Sequence, residues 1–348
     1  MPDAASAEMT WKDFQSDQEV RWCPGCGDYA ILKAVQSVFP DLGVPKERFV
    51  VVSGIGCSSR FPYYMNTFGF HTIHGRAPAL ASGLKMTRPE LEVWVATGDG
   101  DAMSIGGNHL IHTLRRNVGL KILMFNNRIY GLTKGQYSPT SERGKRTVST
   151  PSGSLDNPFN PLALVLGAGA TFVARAVDIF VPHLKEVLHR AARHQGSAFV
   201  EIYQNCNIFN DGAFTQVTDK ENRAGQAVYL EHGKPLVYDD GRKGIALAGL
   251  KPRVVDLEAG GATAEDCVVW DETDPTLAYF AAQLLPPHYP TPLGVLRAVE
   301  EPTYESAVVA QIEAERERLG DGRLEDLLTR GDVWTVGADG AIREVSFD

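Results

Sequence analysis

Val93-Trp94-Val95-Ala96-Thr97-Gly98-Asp99-Gly100-Asp101 joins an apolar run to two acids set among glycines. A second apolar run, Ile122-Leu123-Met124-Phe125, ends in Asn126-Asn127, the two polar pairs lying 28 residues apart. A short apolar run bounded by turn-forming residues reads as a buried strand. In open α/β sheets, ligands bind beyond the carboxyl ends of such strands. Asp99 and Asn127 are therefore expected to supply oxygen ligands to a hard cation such as Mg²⁺, which commonly keeps ligand phosphates in its shell. Gly98 and Gly100 let the backbone come close to a diphosphate. Asp101 is expected to cap the helix that follows, where a carboxylate is favoured by the helix dipole.

Outward from these motifs, strands alternate with helices. Helices are expected over 28–39, 78–86, 102–116, 162–166 and 179–194, and strands over 49–52, 92–97, 121–126, 171–174 and 199–203. Such alternation implies an α/β fold, a mostly parallel sheet with helices on both faces. Residues 133–158, rich in Gly, Ser, Thr and Pro, read as a long loop. Residues 1–20 read as a polar N-terminal segment, mobile or lying on a partner, and 21–235 as the main domain. Residues 236–348 read as a C-terminal extension, with helices near 274–285 and 303–319, packed on the core or on a partner subunit.

Among 348 residues, 43% are hydrophobic and 22% charged, ordinary for a soluble globular chain. A net charge of −9 argues against nucleic acid as a general partner. Met1-Pro2-Asp3-Ala4 opens no signal peptide, and no run approaches the roughly 18 apolar residues of a membrane span. A cytoplasmic location without membrane contact is expected, where cysteines more often bind metal or do chemistry than form disulfides.

Cys23-Pro24-Gly25-Cys26 precedes the first helix, Cys57 follows the strand near 49–53, and Cys206 follows that at 199–203. These loci can share the edge that carries Asp99. A [4Fe–4S] cluster takes four thiolates. Structural zinc is the competing reading, but zinc sites usually use two paired C-x-x-C knuckles, whereas Cys57 and Cys206 are single. A thioredoxin-type dithiol would follow a strand, and none precedes Cys23. Cys267 reads as an ordinary buried residue.

Together, Cys23-Pro24-Gly25-Cys26-Gly27, Gly54-Ile55-Gly56-Cys57, His74-Gly75-Arg76-Ala77, the GDG and NN pairs, and Tyr130-Gly131-Leu132-Thr133-Lys134-Gly135-Gln136 resemble the β subunit of 2-oxoacid:ferredoxin oxidoreductases. The resemblance is dense over 15–235, with the 2-oxoglutarate type closest. It implies the diphosphate-binding half of a thiamine diphosphate fold. Mg²⁺ would be held by Asp99, Asn127 and the Ile129 carbonyl, and a [4Fe–4S] cluster by Cys23, Cys26, Cys57 and Cys206. Gly56, Cys57, Ser58, His74, Tyr130, Gly131, Leu132 and Thr133 would line the cofactor, with Gly98, Asp99, Gly100 and Asp101. Arg60 and Lys134 would face the distal carboxylate of 2-oxoglutarate.

The resemblance also implies oxidative decarboxylation, with coenzyme A taking the acyl group and ferredoxin the electrons. An α subunit would supply the missing pyrimidine-binding domain, in a heterotetramer. Alternatives are a pyruvate or broad-range 2-oxoacid enzyme, a non-oxidative thiamine diphosphate enzyme with structural zinc, and a non-catalytic scaffold.

Overall fold

A computed structural model of the chain describes residues 9–345. Six parallel strands form the centre: β1 (Phe49–Ser53), β2 (Phe68–His71), β3 (Glu92–Gly98), β4 (Leu120–Asn126), β5 (Phe172–Val177) and β6 (Ala198–Tyr203). Further along come β7 (Ala227–Leu230), a small antiparallel sheet of β8 (Val237–Tyr238), β9 (Lys243–Ala248) and β10 (Lys251–Asp256), and then β11 (Thr291–Ala298). The large sheet runs β2-β1-β3-β4-β6-β5-β11-β7. β11 runs antiparallel to β5, and β7, parallel to β11, shares its reversed direction.

Successive side chains on a strand face opposite ways, and the core divides accordingly. Val51, Trp94, Ala96, Leu123 and Phe125 pack under the helices Asp28–Val38 and Val181–Arg193. Val52, Val93, Val95, Ile122 and Met124 pack under Ala77–Thr87, Gly107–Arg115 and Pro161–Gly167. The expected sheet with helices on both faces is present.

Three expectations need correction. The helix foreseen over 102–116 is two helices, Asp99–Met103 and Gly107–Arg115. The break lies at Ser104–Gly106, where a side chain on Gly106 would collide with the Asp101 carbonyl, 2.4 Å from its Cβ position. Of the N-terminal segment, residues 1–8 lie outside the described residues. The remainder is anchored, with the Phe14 ring fully buried and edge-on to Phe39 and Phe49 at 5.4 and 5.5 Å. The boundary at 235/236 is not where contacts divide, because β11, within the supposed extension, hydrogen-bonds into the sheet. The compact units are Met1–Tyr304 and Glu305–Asp348.

The second unit takes in most of the helix Tyr304–Leu319, the helix Leu324–Leu328 and a hairpin of β12 (Val333–Val336) and β13 (Ile342–Val345). None of its described apolar side chains is buried. Among the described residues no helix is long and apolar enough to cross a membrane.

Candidate functional site

Strand β3 ends at Gly98, and Asp99 opens the short helix behind it. The Asp99 side chain is 2% exposed. Its Oδ2 accepts hydrogen bonds from Ser138 Oγ at 2.5 Å and Thr140 Oγ1 at 2.6 Å. Burial pushes its carboxyl above the ordinary carboxylate range, and the two hydroxyls partly oppose that. The loop 133–158 thus folds back over the end of β3.

Asn126 and Asn127 end the adjacent strand β4 and diverge. Thr140 Oγ1 lies 3.0 Å from Asn126 Oδ1, so the amide linked to Asp99 through one hydroxyl is Asn126. Asn127 turns toward the thiols: its Nδ2 donates to Gln204 Oε1 at 2.8 Å, and its Oδ1 accepts from the Ile129 N–H at 3.1 Å. That bond folds 127–129 into a tight Asx turn, with Arg128 in the left-handed region at φ 56°.

Asp101 does not cap its helix. Its Oδ1 accepts from the main-chain N–H groups of Ile55 (3.1 Å) and Gly75 (2.8 Å) and from His74 Nδ1 (2.5 Å); Oδ2 accepts from Thr97 Oγ1 (2.7 Å). A carboxylate offers acceptors only, so His74 Nδ1 carries the proton and Nε2 is left available. Asp101 therefore ties the Gly54-Ile55 loop to the His74-Gly75 loop. Gly54 admits this clamp: a Cβ there would lie 1.8 Å from Asp101 Oδ2. Ser58 is buried against Gly98, its Oγ 3.4 Å from where a Gly98 Cβ would stand. Tyr130 donates its hydroxyl to the Gly100 carbonyl at 3.1 Å.

Beyond Asn127 lies a cavity of about 300 Å³ lined by all four sulfur-bearing residues expected to act together, Cys23, Cys26, Cys57 and Cys206. Gly131 sets their spacing: a Cβ on it would touch the sulfurs of Cys57 and Cys206 equally, at 3.5 Å. Trp22 Nε1 donates to the Cys57 carbonyl at 2.7 Å and pins that loop. Gln204 donates to Cys26 Sγ at 3.3 Å while accepting from Asn127, so one side chain touches both the thiols and the Asx turn. Burial, then the Asp28 carboxylate, pushes the Cys57 thiol up to about 12, and the same two causes raise Cys26. All four are free cysteines. Among the described residues no three Cys, His, Asp or Glu side chains gather around a single-ion site; the thiols ring a space instead.

Arg60, Leu132 and Lys134 line the same cavity. Lys134 is held at φ 75°, within a turn in which the Gly135 N–H donates to the Tyr130 carbonyl at 2.9 Å. Arg60 also faces a separate surface depression with Arg21, Tyr63 and His71. Thr133 is turned aside, its hydroxyl bonded to Gln136. Gly56 needs its lack of side chain, at φ 129°. Sequence reasoning missed Ser138 and Gln204, and took Thr140, in Thr140-Ser141-Glu142-Arg143-Gly144, as a mark of the 2-oxoglutarate type rather than as a partner of Asp99. Ser138 sits in the loop read as irregular, and Gln204 stands two residues before Cys206 with no pattern of its own.

A strand-end edge with an acid, an amide turn and buried glycines defines the class of diphosphate-binding α/β proteins. Residues 54–202 match the thiamine pyrophosphate enzyme family, C-terminal TPP-binding domain. The 2-oxoglutarate oxidoreductase subunit KorB of Mycobacterium tuberculosis is 52% identical over 331 residues, 93% of this chain and 88% of that one. The 2-oxoacid:ferredoxin oxidoreductase 1 subunit beta of Aeropyrum pernix is 50% identical over 190 residues, 55% of this chain and 60% of its own. A solved 2-oxoglutarate:ferredoxin oxidoreductase from Magnetococcus marinus, with 2-oxoglutarate, coenzyme A and succinyl-CoA bound, matches with a TM-score of 0.72 and 35% identity. The match covers 91% of this chain and 92% of that one. This chain belongs to the β subunits of the 2-oxoglutarate and 2-oxoacid:ferredoxin oxidoreductases, and is an oxidoreductase subunit with a thiamine diphosphate-binding fold.

Proposed function

We propose that the chain is the β subunit of a 2-oxoglutarate:ferredoxin oxidoreductase, converting 2-oxoglutarate and coenzyme A to succinyl-CoA and CO₂. The carrying observation is the single cavity in which four thiols, the Asn127 turn, Arg60 and Lys134 meet. Asn127 lines that cavity, and Gln204 touches both the Asn127 side chain and Cys26, so a thiamine diphosphate whose metal Asn127 helps to hold would lie beside the thiols.

The residues present fit the implied groups. Asp99 is buried with oxygen donors around it, and Asn127 with the Ile129 carbonyl lies on the neighbouring strand end, an oxygen set suited to Mg²⁺. Cys23, Cys26, Cys57 and Cys206 ring a space rather than a point, which suits a [4Fe–4S] cluster better than one zinc ion. When bound, these groups supply the electron sink and the one-electron path. The chain's own residues do the rest. Lys134 and Arg60 pair with the substrate's distal carboxylate. His74, its Nδ1–H fixed by Asp101, holds Nε2 ready to exchange a proton near the diphosphate. Trp22 pins the Cys57 loop, and Leu132 lines the cavity beside the thiols. An α subunit completes the site with the pyrimidine-binding domain, and ferredoxin takes the electrons from this cytoplasmic heterotetramer.

The test is an anaerobic visible spectrum of the chain co-expressed with its partner, with coenzyme A and thiamine diphosphate present. Iron–sulfur absorbance that bleaches with 2-oxoglutarate, and much less with pyruvate, is expected. Bleaching by pyruvate alone would overturn the substrate assignment, and a colourless zinc protein the redox assignment.

A further inference from the structure

Asn126 has no part in the proposed metal shell, yet more of the structure converges on it than on Asn127. Three neighbouring strands set buried side chains in a row: Arg175 within β5, Glu201 within β6 and Asn126 at the end of β4, each no more than 2% exposed. Arg175 Nε donates to Glu201 Oε2 at 2.7 Å, and Asn126 Nδ2 donates to Glu201 Oε1 at 2.7 Å. A carboxylate offers only acceptors, so Asn126 has to turn its amino group toward Glu201 and its carbonyl away.

That carbonyl serves the turn that carries Asn127 and Ile129. It accepts from the Arg128 N–H at 3.2 Å, holding the left-handed residue that turns the chain between Asn127 and Ile129. It also lies 3.0 Å from Thr140 Oγ1, whose hydroxyl is bonded to Asp99. A buried ion pair is a weak source of stability but can fix one arrangement among several. A cavity of about 230 Å³ runs along this row, so the pair is not there to fill space.

We infer that Arg175 and Glu201 are positioning residues. Through the amide of Asn126 they fix the Asn127–Ile129 turn, and with it the oxygens that turn offers as ligands for Mg²⁺ and the diphosphate. This rests on the Mg²⁺–thiamine diphosphate reading above.

The experiment uses the complex co-expressed with its partner chain. Glu201→Gln removes the constraint, because a carboxamide can present its own amino group and let Asn126 turn round. It also strands the Arg175 charge, so the double variant Arg175→Met/Glu201→Gln is made beside it. Mg²⁺ affinity is titrated at saturating thiamine diphosphate, the Mn²⁺ EPR spectrum records ligand geometry, and iron content and melting temperature are controls. Both variants are expected to lose about tenfold or more in Mg²⁺ affinity and to broaden the Mn²⁺ spectrum, as for other partners that orient metal ligands. Iron content should stay constant, and the double variant should regain the melting temperature lost by Glu201→Gln. A folded double variant with wild-type Mg²⁺ affinity and Mn²⁺ spectrum would overturn the inference, provided Asp99→Ala abolishes binding. Wild-type-like binding by Asp99→Ala would instead overturn the metal-site reading itself.

Discussion

Around Asp99 the protein surrounds one buried carboxylate with hydroxyls and, through Thr140, an amide, the hydroxyls being 2.5 and 2.6 Å away. Around the four cysteines it leaves an open cavity, in which the thiols share the lining with Arg60 and Lys134, and Gln204 donates to Cys26 Sγ at 3.3 Å. The first arrangement is preorganised and oxygen-rich, as a small hard cation requires. In the second, burial raises the Cys26 and Cys57 thiols, so that a soft metal binding there must displace their protons. The same sheet edge thus carries two environments, and Gln204 joins the Asn127 turn to Cys26.

If these environments are separable, each can be destroyed alone. Asp99→Ala should give the largest effect, loss of retained thiamine diphosphate after desalting with iron per chain unchanged. Parallel loss of iron would show one site instead of two. Cys206→Ser should lose or degrade the cluster, read by iron and sulfide analysis, while thiamine diphosphate still binds. A full iron complement in that variant would remove Cys206 from the ligand set.

Lys134→Ala should raise the KM for 2-oxoglutarate about 10- to 100-fold, the size of one charge-assisted hydrogen bond, and leave the KM for coenzyme A alone. An unchanged KM for 2-oxoglutarate would shift the carboxylate contact to Arg60. The smallest effect is a control at the opposite end of the strands. Burial, then the nearby Lys121, lowers the His194 pKa from 6.5 to about 4. A depressed histidine stabilises the fold above its ordinary value, and that contribution is lost as pH falls through about 4. His194→Gln should therefore flatten the decline in melting temperature between about pH 6.5 and 4 without touching iron or cofactor; an identical decline would exclude His194 as its source.

Much of this was legible because chemistry and period agreed. The runs 93–96 and 122–125 have no reading but buried strands once each ends in turn-forming polar residues, and the strand ends placed Asp99 and the Asn pair together. Cys57 and Cys206 could be assigned to the edge for the same reason. What stayed hidden depends on orientation across the chain. Nothing in Gly98-Asp99-Gly100-Asp101 distinguishes an acid that opens a site from one that ties two distant loops, since both are an Asp among glycines. The partition of labour between Asn126 and Asn127 is set by Glu201 and Gln204, some 75 residues away. Likewise β11 reads as a proline-flanked tail until the free edges of β5 and β7 are seen to need a strand between them.

Strand β2 carries a practical consequence. It closes one end of the large sheet, pairs only with β1 among the described residues, and has all four of its residues exposed, with Phe68 65% and Phe70 40% accessible. A free strand edge bearing phenylalanines is a template for pairing with another chain. Yield is therefore a matter of timing: chain made ahead of its cognate subunit meets other copies of that edge first. Preparations from an operon-like, balanced co-expression should stay in solution where the subunit produced alone goes to inclusion bodies.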